Sequence, residues 1–372
     1  MAAPSGTMRA VQYDRYGGGA QGLKHVEVPI PSPKKGEVLI RMEATSINVV
    51  DWKFQNGFAR PFMPRRFPFI SVLAFDVPSR VRVRMRTGEL HRRVIVFAFW
   101  RTGYDLAGEV VELGAGVSSF KPGDKVIAIN FPNGGGLAEY AVASASRTVA
   151  RPPEVSAVEG VCVPIAAVTA LRSLRTAGVT VTLDDPARAP ATPKNVLVTA
   201  ASGAVGHFAV QLARMGGHNV TATCGARNLG LVRSLGADEA LDYKTPEGAR
   251  LRSPSGRKYD AVVHCAAKGL PWSVFRPVLA ASGTVVDITP GFVAVVTAIL
   301  QVATFSKKRL VPLMVTPNKE EMELLLGMLK QGRLKTVIDS QHPLGSAHEG
   351  WAKSMSGHTT GKVVIEIGAA QP

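Results

Sequence analysis

The residues with the most recognisable chemistry form a turn of six. They are Ala201, Ser202, Gly203, Ala204, Val205 and Gly206. A β-branched run at 196–199 precedes the turn and a segment of helical periodicity, 204–215, follows it. This order is the opening of a dinucleotide-binding βαβ unit, in which Gly203 lets the backbone approach a pyrophosphate and Gly206 lets the helix pack against the strand. The N–H groups at the helix start then face the phosphates. Because Ala201 stands where G-x-G-x-x-G has its first glycine, an ordinary βα turn is the alternative.

The segment after the second expected strand indicates which dinucleotide binds. An NAD site has Asp or Glu there for the ribose hydroxyls, whereas the 2′-phosphate of NADPH needs donors. No acid occurs between Thr223 and Asp238. Arg227 can pair with a phosphate, Asn228 and Thr223 can add hydrogen bonds, and Tyr243 can close the pocket. The sequence therefore predicts NADPH; the alternative is that Arg227 only begins a solvated helix.

The composition favours a soluble enzyme of two domains. The chain has 372 residues, of which 46% are apolar, and three cysteines without paired spacing, which fits a reducing compartment and predicts no metal centre. A net charge of +16 could attract anionic lipid, nucleic acid or an anionic cofactor. The chain has no recognisable nucleic-acid motif, so no nucleic-acid partner is expected. The apolar segment 291–305 predicts a buried or interfacial helix.

The pattern along the chain predicts a parallel sheet inserted into a mostly β domain. Short strands separated by Gly/Pro turns run to about residue 150, and strands return after residue 336 around a helix at 347–355. The strands expected between them are 195–200, 219–223, 260–265, 284–288 and 310–315, and the helices are 204–215, 229–235 and 273–281. Alternating strands and helices give an α/β, doubly wound parallel sheet. The Pro-rich stretch 184–193 is expected to be a surface loop.

Several segments, taken in order, resemble one family. They are 46–53, 105–111, 117–126, 136–140, 235–238 and 357–364, together with Pro164 and Thr169. The chain is similar over nearly its whole length to the zinc-independent quinone oxidoreductases of the medium-chain dehydrogenase/reductase superfamily, including those of the plant chloroplast envelope, and to related enone reductases. The resemblance implies a GroES-like catalytic domain of residues 1–154 and 332–372 around a Rossmann NADPH-binding domain of residues 155–331. It also implies a homodimer.

The resemblance implies hydride transfer without a metal. The zinc-dependent branch of the superfamily has a Cys ligand soon after the strand that ends near Thr45, whereas this chain has no Cys before Cys162 and lacks four clustered cysteines. NADPH would reduce the C=C bond of an α,β-unsaturated carbonyl, or a quinone, and the developing charge on oxygen needs donors already in place. Long-chain oxylipin ketols, short enals and quinones all remain candidate substrates.

The resemblance also suggests residues beside the nicotinamide. Asn48 and Asp51 would sit at its face, and the ammonium of Lys53 is a candidate electrophile or proton source. The alternatives are that Asn48 caps a helix at 49–56, Asp51 only stabilises its first turn, and Lys53 is solvated. On the family pattern, Thr169 would face the nicotinamide or pyrophosphate. Cys265 and Ala266 would line the ribose at the carboxyl edge of the sheet.

One segment departs from the family pattern. Members pass from a segment like 66–70 to one like 105–108 through about three residues, whereas residues 71–104 intervene here. This insertion has seven arginines against two acids and an apolar run, 94–100. It could be a hairpin on an anionic membrane surface, or unselected sequence from a faulty gene model, which we favour. An exposed apolar strand at 94–100 would promote aggregation, so deleting residues 71–101 is expected to raise solubility.

Three function classes follow. The first is an NADPH-dependent enone or quinone reductase. The second is an NADPH-binding, membrane-associated or regulatory relative with little turnover, which the insertion and the basic charge keep open. The third, an RNA binder as some relatives are, lacks aromatic–basic platforms. By resemblance the location is peripheral at the inner chloroplast envelope, and otherwise cytoplasmic.

Overall fold

The computed structural model describes residues 6–58, 104–130, 134–181 and 192–368. Its strands are β1 (Thr7–Gln12), β2 (Lys24–Pro29), β3 (Glu37–Ile47), β4 (Tyr104–Leu113), β5 (Lys125–Asn130), β6 (Tyr140–Ser144), β7 (Thr148–Ala150), β8 (Asn195–Thr199), β9 (Asn219–Cys224), β10 (Glu239–Asp242), β11 (Tyr259–His264), β12 (Leu279–Asp287), β13 (Arg309–Pro312), β14 (Ile338–Pro343) and β15 (Lys362–Glu366). Its α-helices are α1 (Val49–Gln55), α2 (Ala157–Gly160), α3 (Val168–Thr176), α4 (Gly206–Met215), α5 (Leu229–Ser234), α6 (Pro246–Ala249), α7 (Trp272–Phe275), α8 (Phe292–Ala303), α9 (Lys319–Lys330) and α10 (Ala347–Met355).

The predicted doubly wound parallel sheet is confirmed. Six strands lie in the order β10-β9-β8-β11-β12-β13, and every pair among them is parallel. The chain starts in the centre at β8, winds outward through β9 and β10, and then crosses to β11 on the other side. The carboxyl ends of β8 and β11 are therefore adjacent at the point where the winding changes direction. Open α/β sheets bind their ligands at this point.

The second sheet is built from both ends of the chain, as the GroES-like fold class requires. Seven strands lie in the order β14-β15-β3-β4-β5-β7, with β6 paired to β3. β15 is antiparallel to β3, and Ile365 is opposite Thr45. This pairing brings the C-terminal strand beside the residues that lead into α1. The domain limits 1–154, 332–372 and 155–331 remain a prediction.

The two sheets share one hydrophobic core around α3. This core contains Ile127 and Val149 of the seven-stranded sheet, Val198 of the six-stranded sheet, and Leu171 of α3, all fully buried. The continuous helical stretch Ala157–Thr176 is long and apolar enough to cross a bilayer, but 72% of it is buried in the protein. It is therefore a core helix that fixes the position of one sheet relative to the other.

One helix prediction is wrong in part, and for a second the structure excludes one of its two alternatives. The helix predicted at 273–281 ends early, because α7 stops at Phe275 and β12 begins at Leu279. The helix predicted at 291–305, as buried or interfacial, forms as α8. Most of its apolar side chains are exposed, Phe292 at 84% and Ile299 at 59%, so the buried alternative is wrong and the interfacial one stays a prediction. The insertion 71–104 lies outside the described residues except for its last residue, and most of the Pro-rich stretch 184–193 does as well.

Candidate functional site

The glycine-bearing turn joins β8 to α4 at the carboxyl edge of the parallel sheet. Ala200 begins it with a positive φ of 47°, and Ala201 is fully buried with its N–H bonded to the Thr223 carbonyl at 2.9 Å. A Cβ on Gly206 would lie 2.3 Å from the Ala200 carbonyl oxygen, so only glycine lets α4 start this close to the strand. Ser202, Gly203, Ala204 and Val205 form the rest of the turn. A concave backbone turn ahead of a helix N-terminus fits the pyrophosphate of a dinucleotide.

The residues predicted to hold the 2′-phosphate lie at the carboxyl end of β9. Asn228 donates a hydrogen bond from Nδ2 to the Ser202 hydroxyl at 3.0 Å, which links it to the glycine-bearing turn. Arg227 is exposed, and its guanidinium donates to the carbonyl of His358. Thr223 is buried in β9. Tyr243, 45% exposed, follows β10, with its ring 3.7 Å from where a Cβ on Gly225 would lie. The residues predicted to donate hydrogen bonds to the 2′-phosphate therefore lie together at the carboxyl edge of the parallel sheet.

Asn48 sits in a buried polar network between β3 and α1. Its Nδ2 donates to Asp105 Oδ2 at 3.0 Å, and its Oδ1 accepts from the ammonium of Lys362 at 2.6 Å. Its own backbone N–H donates to Asp51 Oδ2 at 2.7 Å. The last contact is half of a capping box, so the helix-cap alternative describes this geometry. The predicted helix 49–56 is observed as Val49–Gln55.

Asp105 connects this network to the helix that carries Thr169. Its Oδ2 accepts from the Ser46 hydroxyl at 2.5 Å and its Oδ1 accepts from the Ile165 N–H at 3.0 Å. Ile165 lies in the π-helical segment just before α3, and Thr169 in α3 is 9% exposed. Complete burial raises the pKa of Asp105, and the Lys362 ammonium opposes that shift. The carboxylate therefore depends on the cation for its charge.

Lys53 reaches from α1 to the loop after β11. Its Nζ donates to the carbonyl oxygen of Ala267 at 3.3 Å. Burial lowers the pKa of Lys53, and the negative charge of Asp287 acts in the opposite direction. Lys53 is therefore a partly desolvated ammonium beside the cofactor sheet. This contact joins α1 to the loop after β11, at the edge of the parallel sheet where the winding changes direction.

The loop that receives Lys53 is fixed by two threonines, one at the end of β8 and one just after β12. The Cys265 N–H donates to Thr199 Oγ1 at 3.1 Å, and Thr289 donates to the Ala266 carbonyl at 2.8 Å. His264, fully buried, lies with Nδ1 2.8 Å from Thr199 Oγ1. Burial raises the pKa of Cys265, which disfavours a thiolate. Cys265 and Ala266 thus present a rigid backbone at the predicted ribose position.

The sequence did not single out Asp105, Lys362 or Thr360 individually. Each lies in a segment that carried the family resemblance, but only the fold brings a buried Lys362 beside Asn48 and Thr360 beside Asn228. Among the described residues, no group of three or more His, Cys, Asp and Glu side chains could hold a metal ion. The three cysteines are free.

Comparisons with known proteins agree with this architecture. The family described as "Alcohol dehydrogenase GroES-like domain" matches residues 69–153, and "Zinc-binding dehydrogenase" matches residues 235–365. The chain is 54% identical to quinone-oxidoreductase QR1, chloroplastic, of Triphysaria versicolor and 52% identical to the chloroplast envelope quinone oxidoreductase homolog of Arabidopsis thaliana. Each alignment covers 96% of this chain and 98% of the relative. A more distant relative, at 27%, is the NADPH-dependent alkenal/one oxidoreductase, chloroplastic, of Arabidopsis thaliana; this alignment covers 96% of the chain and 79% of the relative.

A solved structure shows the same fold. The quinone oxidoreductase from Coxiella burnetii superposes with a TM-score of 0.75 at 27% identity, over 97% of this chain and 99% of that chain. The match includes both the parallel sheet and the sheet built from the two chain ends, because nearly the whole of each chain is covered.

Proposed function

The chain belongs to the quinone oxidoreductase family of the medium-chain dehydrogenase/reductase superfamily, and from this premise we propose that it uses NADPH to reduce the C=C bond of α,β-unsaturated carbonyls, such as enones and oxylipin ketols, or quinones. That it is an oxidoreductase with a nicotinamide-binding domain follows from the family. The observation that supports the finer proposal is the contact of Lys53 with the Ala267 carbonyl. It brings an ammonium of lowered pKa to the sheet edge where the nicotinamide would lie.

The residues of the chain would bind and orient the cofactor. The backbone of the 201–206 turn would hold the pyrophosphate, Thr169 would face the nicotinamide, and Cys265 with Ala266 would line the ribose. A Cβ at Gly206 would collide with the Ala200 carbonyl oxygen, so glycine there lets α4 begin directly behind the turn that would face the pyrophosphate. NADPH would supply the hydride when bound.

Lys53 would provide the positive charge that the reaction needs. Reduction of an enone or a quinone places negative charge on an oxygen, and a fixed donor there lowers the barrier. An ammonium that is partly desolvated is a stronger electrostatic donor and a better acid than a solvated one. Asn48 and Asp51 would set the position of α1, on which Lys53 lies, and thereby the distance between the ammonium and the substrate.

The preference for NADPH over NADH rests on Arg227 and Asn228. Arg227 is exposed, and its planar guanidinium has five N–H groups, of which the His358 carbonyl takes one. The remaining groups suit a 2′-phosphate. Thr223 and Tyr243 would flank the same phosphate from β9 and from the end of β10.

We also propose a homodimer. Within the described ranges, β13 is an edge strand that pairs only with β12, and the helix before it, α8, exposes Phe292, Val293, Ile299, Leu300 and Val302. An unpaired edge next to an exposed apolar helix is a surface that soluble proteins normally cover. Addition of the β13 edge of a second copy would extend the sheet and cover α8.

The location proposed is the chloroplast, at the periphery of the inner envelope. The names of the relatives state a chloroplast location and, for one, the envelope. Anionic lipid is the partner that the high net charge of +16 favours there. A relative that binds NADPH on a membrane with little turnover is the alternative function, and the same assay tests it.

The experiment is oxidation of NADPH by the purified chain with a panel of enones, enals, ketols and quinones, with NADH in parallel. The proposal expects turnover that requires an electron-poor C=C bond or a quinone and that is faster with NADPH. NADPH binding by fluorescence without turnover would favour the alternative function. Neither binding nor turnover would contradict both.

A further inference from the structure

Residues 357–361, here called the C-terminal clamp, lie against the nucleotide-binding turn. The clamp connects α10 to β15 in the sheet built from both chain ends. The Gly361 N–H donates to the Ser202 carbonyl at 2.8 Å, and Gly361 forms a parallel β-bridge with Gly203. A segment outside the parallel sheet is therefore in backbone contact with the turn that would hold the pyrophosphate.

The clamp also contacts both residues assigned to the 2′-phosphate. Asn228 Nδ2 donates to Thr360 Oγ1 at 3.0 Å, in addition to its bond with Ser202. The guanidinium of Arg227 donates to the His358 carbonyl. Arg227 and Asn228 are therefore oriented by the clamp rather than by their own helix. An oriented guanidinium loses less conformational entropy when an anion binds.

The clamp has little freedom to move away. A Cβ on Gly361, whose φ is 86°, would lie 2.1 Å from the Val337 carbonyl oxygen. The Thr360 N–H donates to Asp339 Oδ1 at 2.6 Å, and Asp339 is paired with Lys353 at 3.3 Å. The backbone around Thr360 is thus fixed from β14 and α10, and its hydroxyl is directed at the phosphate residues.

We infer that Thr360 is a specificity-determining residue for the cofactor and that its hydroxyl donates a hydrogen bond to the 2′-phosphate. Because Thr360 Oγ1 accepts from Asn228 at 3.0 Å, its own proton is left for another acceptor. The alternative acceptor is Asn228 Oδ1 at a longer 3.3 Å. A phosphate oxygen carries more negative charge than an amide oxygen and makes the stronger bond. The clamp then adds a donor to the phosphate site beside Arg227 and Asn228, which it already contacts.

This inference rests on the proposed preference for NADPH and adds a residue from the other sheet to the site. Its consequence is that residues from both sheets bind the 2′-phosphate. A nucleotide without that phosphate would be held by the glycine-bearing turn and would not touch the Thr360 hydroxyl. Loss of the Thr360 hydroxyl should therefore affect nucleotides that carry a 2′-phosphate and spare those that do not.

The test is calorimetric titration of the full chain with 2′,5′-ADP and with 5′-AMP. Thr360→Val removes the hydroxyl with little change of shape, Thr360→Ser keeps it, and Thr359→Val makes the same change one residue earlier. A hydrogen bond to a charged group predicts a loss of affinity for 2′,5′-ADP of about ten-fold or more in Thr360→Val. Affinity for 5′-AMP should stay within about two-fold, and Thr360→Ser and Thr359→Val should bind like the unmodified chain.

The outcomes separate this inference from the proposal on which it rests. If the unmodified chain binds 2′,5′-ADP no more tightly than 5′-AMP, the NADPH preference is wrong and the inference fails with it. If the chain prefers 2′,5′-ADP and Thr360→Val leaves that preference intact, only the inference is overturned. An equal loss for both nucleotides in Thr360→Val, with a lower melting temperature, would show a structural role instead and also overturn it.

Discussion

The ammonium of Lys362 donates a hydrogen bond to Oδ1 of Asn48 at 2.6 Å, where both side chains are buried. The other end of the Asn48 carboxamide donates to the carboxylate of Asp105 at 3.0 Å and to the Ser46 carbonyl at 3.3 Å. Both amide protons and one lone pair of Asn48 are therefore used inside the protein. The Asn48 side chain also accepts from the backbone N–H of Asp51 in the capping box, so we expect Asn48 to hold α1 in place rather than to bind the cofactor directly.

We predict that Lys362→Met strongly destabilises the chain. Lys362 and Asp105 are both fully buried, with 3.7 Å between Nζ and Oδ2, and removal of the cation leaves a buried carboxylate without its counter-charge. Breaking such a pair costs about 3–5 kcal/mol of unfolding free energy. Urea denaturation measures the loss. The double variant Lys362→Met/Asp105→Asn should recover part of it, because no buried charge remains; a double variant as unstable as the sum of the two single variants would contradict the pairing.

Local features of the site could be predicted from the sequence, whereas contacts between distant residues could not. The turn at 201–206 and the strands around it were predictable because glycine spacing and β-branched runs are local signals. The pair Lys362–Asp105 was not predictable from the residues alone, because 257 positions separate its members and only the antiparallel pairing of β15 with β3 brings Lys362 to Asn48. A lysine in an apolar strand gives no indication of its partner until the topology is known.

The helix predicted at 273–281 is wrong beyond Phe275, and the sheet gives the physical reason. The residues 278–281 are small or aliphatic and compatible with a helix. However, Gly283 lies against the backbone of β11, where a Cβ would be 2.6 Å from the Tyr259 carbonyl oxygen. This close approach extends β12 back to Leu279, where it pairs with Tyr259. Tertiary pairing overrode a weak local preference.

We predict that Gly206→Ala prevents cofactor binding and destabilises the fold. The added methyl group would lie 2.3 Å from the Ala200 carbonyl oxygen and 2.7 Å from the Ala201 Cα, both backbone atoms that cannot move aside cheaply. Overpacking of this kind costs about 1–3 kcal/mol. The matched control is Gly230→Ala in α5, where a Cβ meets nothing within 4 Å. It should be neutral or stabilising by up to about 1 kcal/mol. Equal melting temperatures for the two variants would contradict the close packing of α4.

We predict that His207 makes the stability fall in acid. Burial lowers the pKa of His207 to about 4, from an ordinary value of 6.5. Between these pH values the unfolded chain binds a proton that the folded chain does not, so the contribution is complete above pH 6.5 and is lost as the pH falls towards 4. The loss is roughly 3 kcal/mol in total. Urea denaturation of His207→Leu across this range should show a flatter dependence on pH than the unmodified chain. The control, His348→Leu at an exposed position, should keep the original slope; parallel curves for all three proteins would refute the assignment.

We predict that Lys53→Met lowers kcat by about 100-fold or more with little effect on stability, since general acid or electrostatic assistance is typically of that size. Lys53→Arg should retain part of the activity because it keeps the charge. The pKa of Lys53 is lowered from 10.5 by burial, so the ammonium is lost as the pH rises through that lowered value. The activity should therefore fall on the alkaline side below pH 10.5. This alkaline limb should be absent from the residual activity of Lys53→Met; if it persists there, the titrating group is a different one.

We predict that a charge on α8 dissociates a dimer. Ile299 is 59% and Val302 67% exposed, and both precede the edge strand β13. If a second copy covers the helix, a glutamate at either position would be buried without a partner, which costs several kcal/mol. Light scattering should give twice the chain mass for the unmodified protein and the single mass for Ile299→Glu and Val302→Glu. Ala352→Glu, an exposed helical position in α10, should remain dimeric.

A membrane contact through α8 is the outcome that would contradict the dimer. Three consecutive cations, Lys307, Lys308 and Arg309, follow the helix, and no acid occurs between residues 288 and 318, a pattern that suits anionic lipid. In that case the unmodified chain would be monomeric and would float with vesicles containing anionic lipid, and Ile299→Glu would lose flotation.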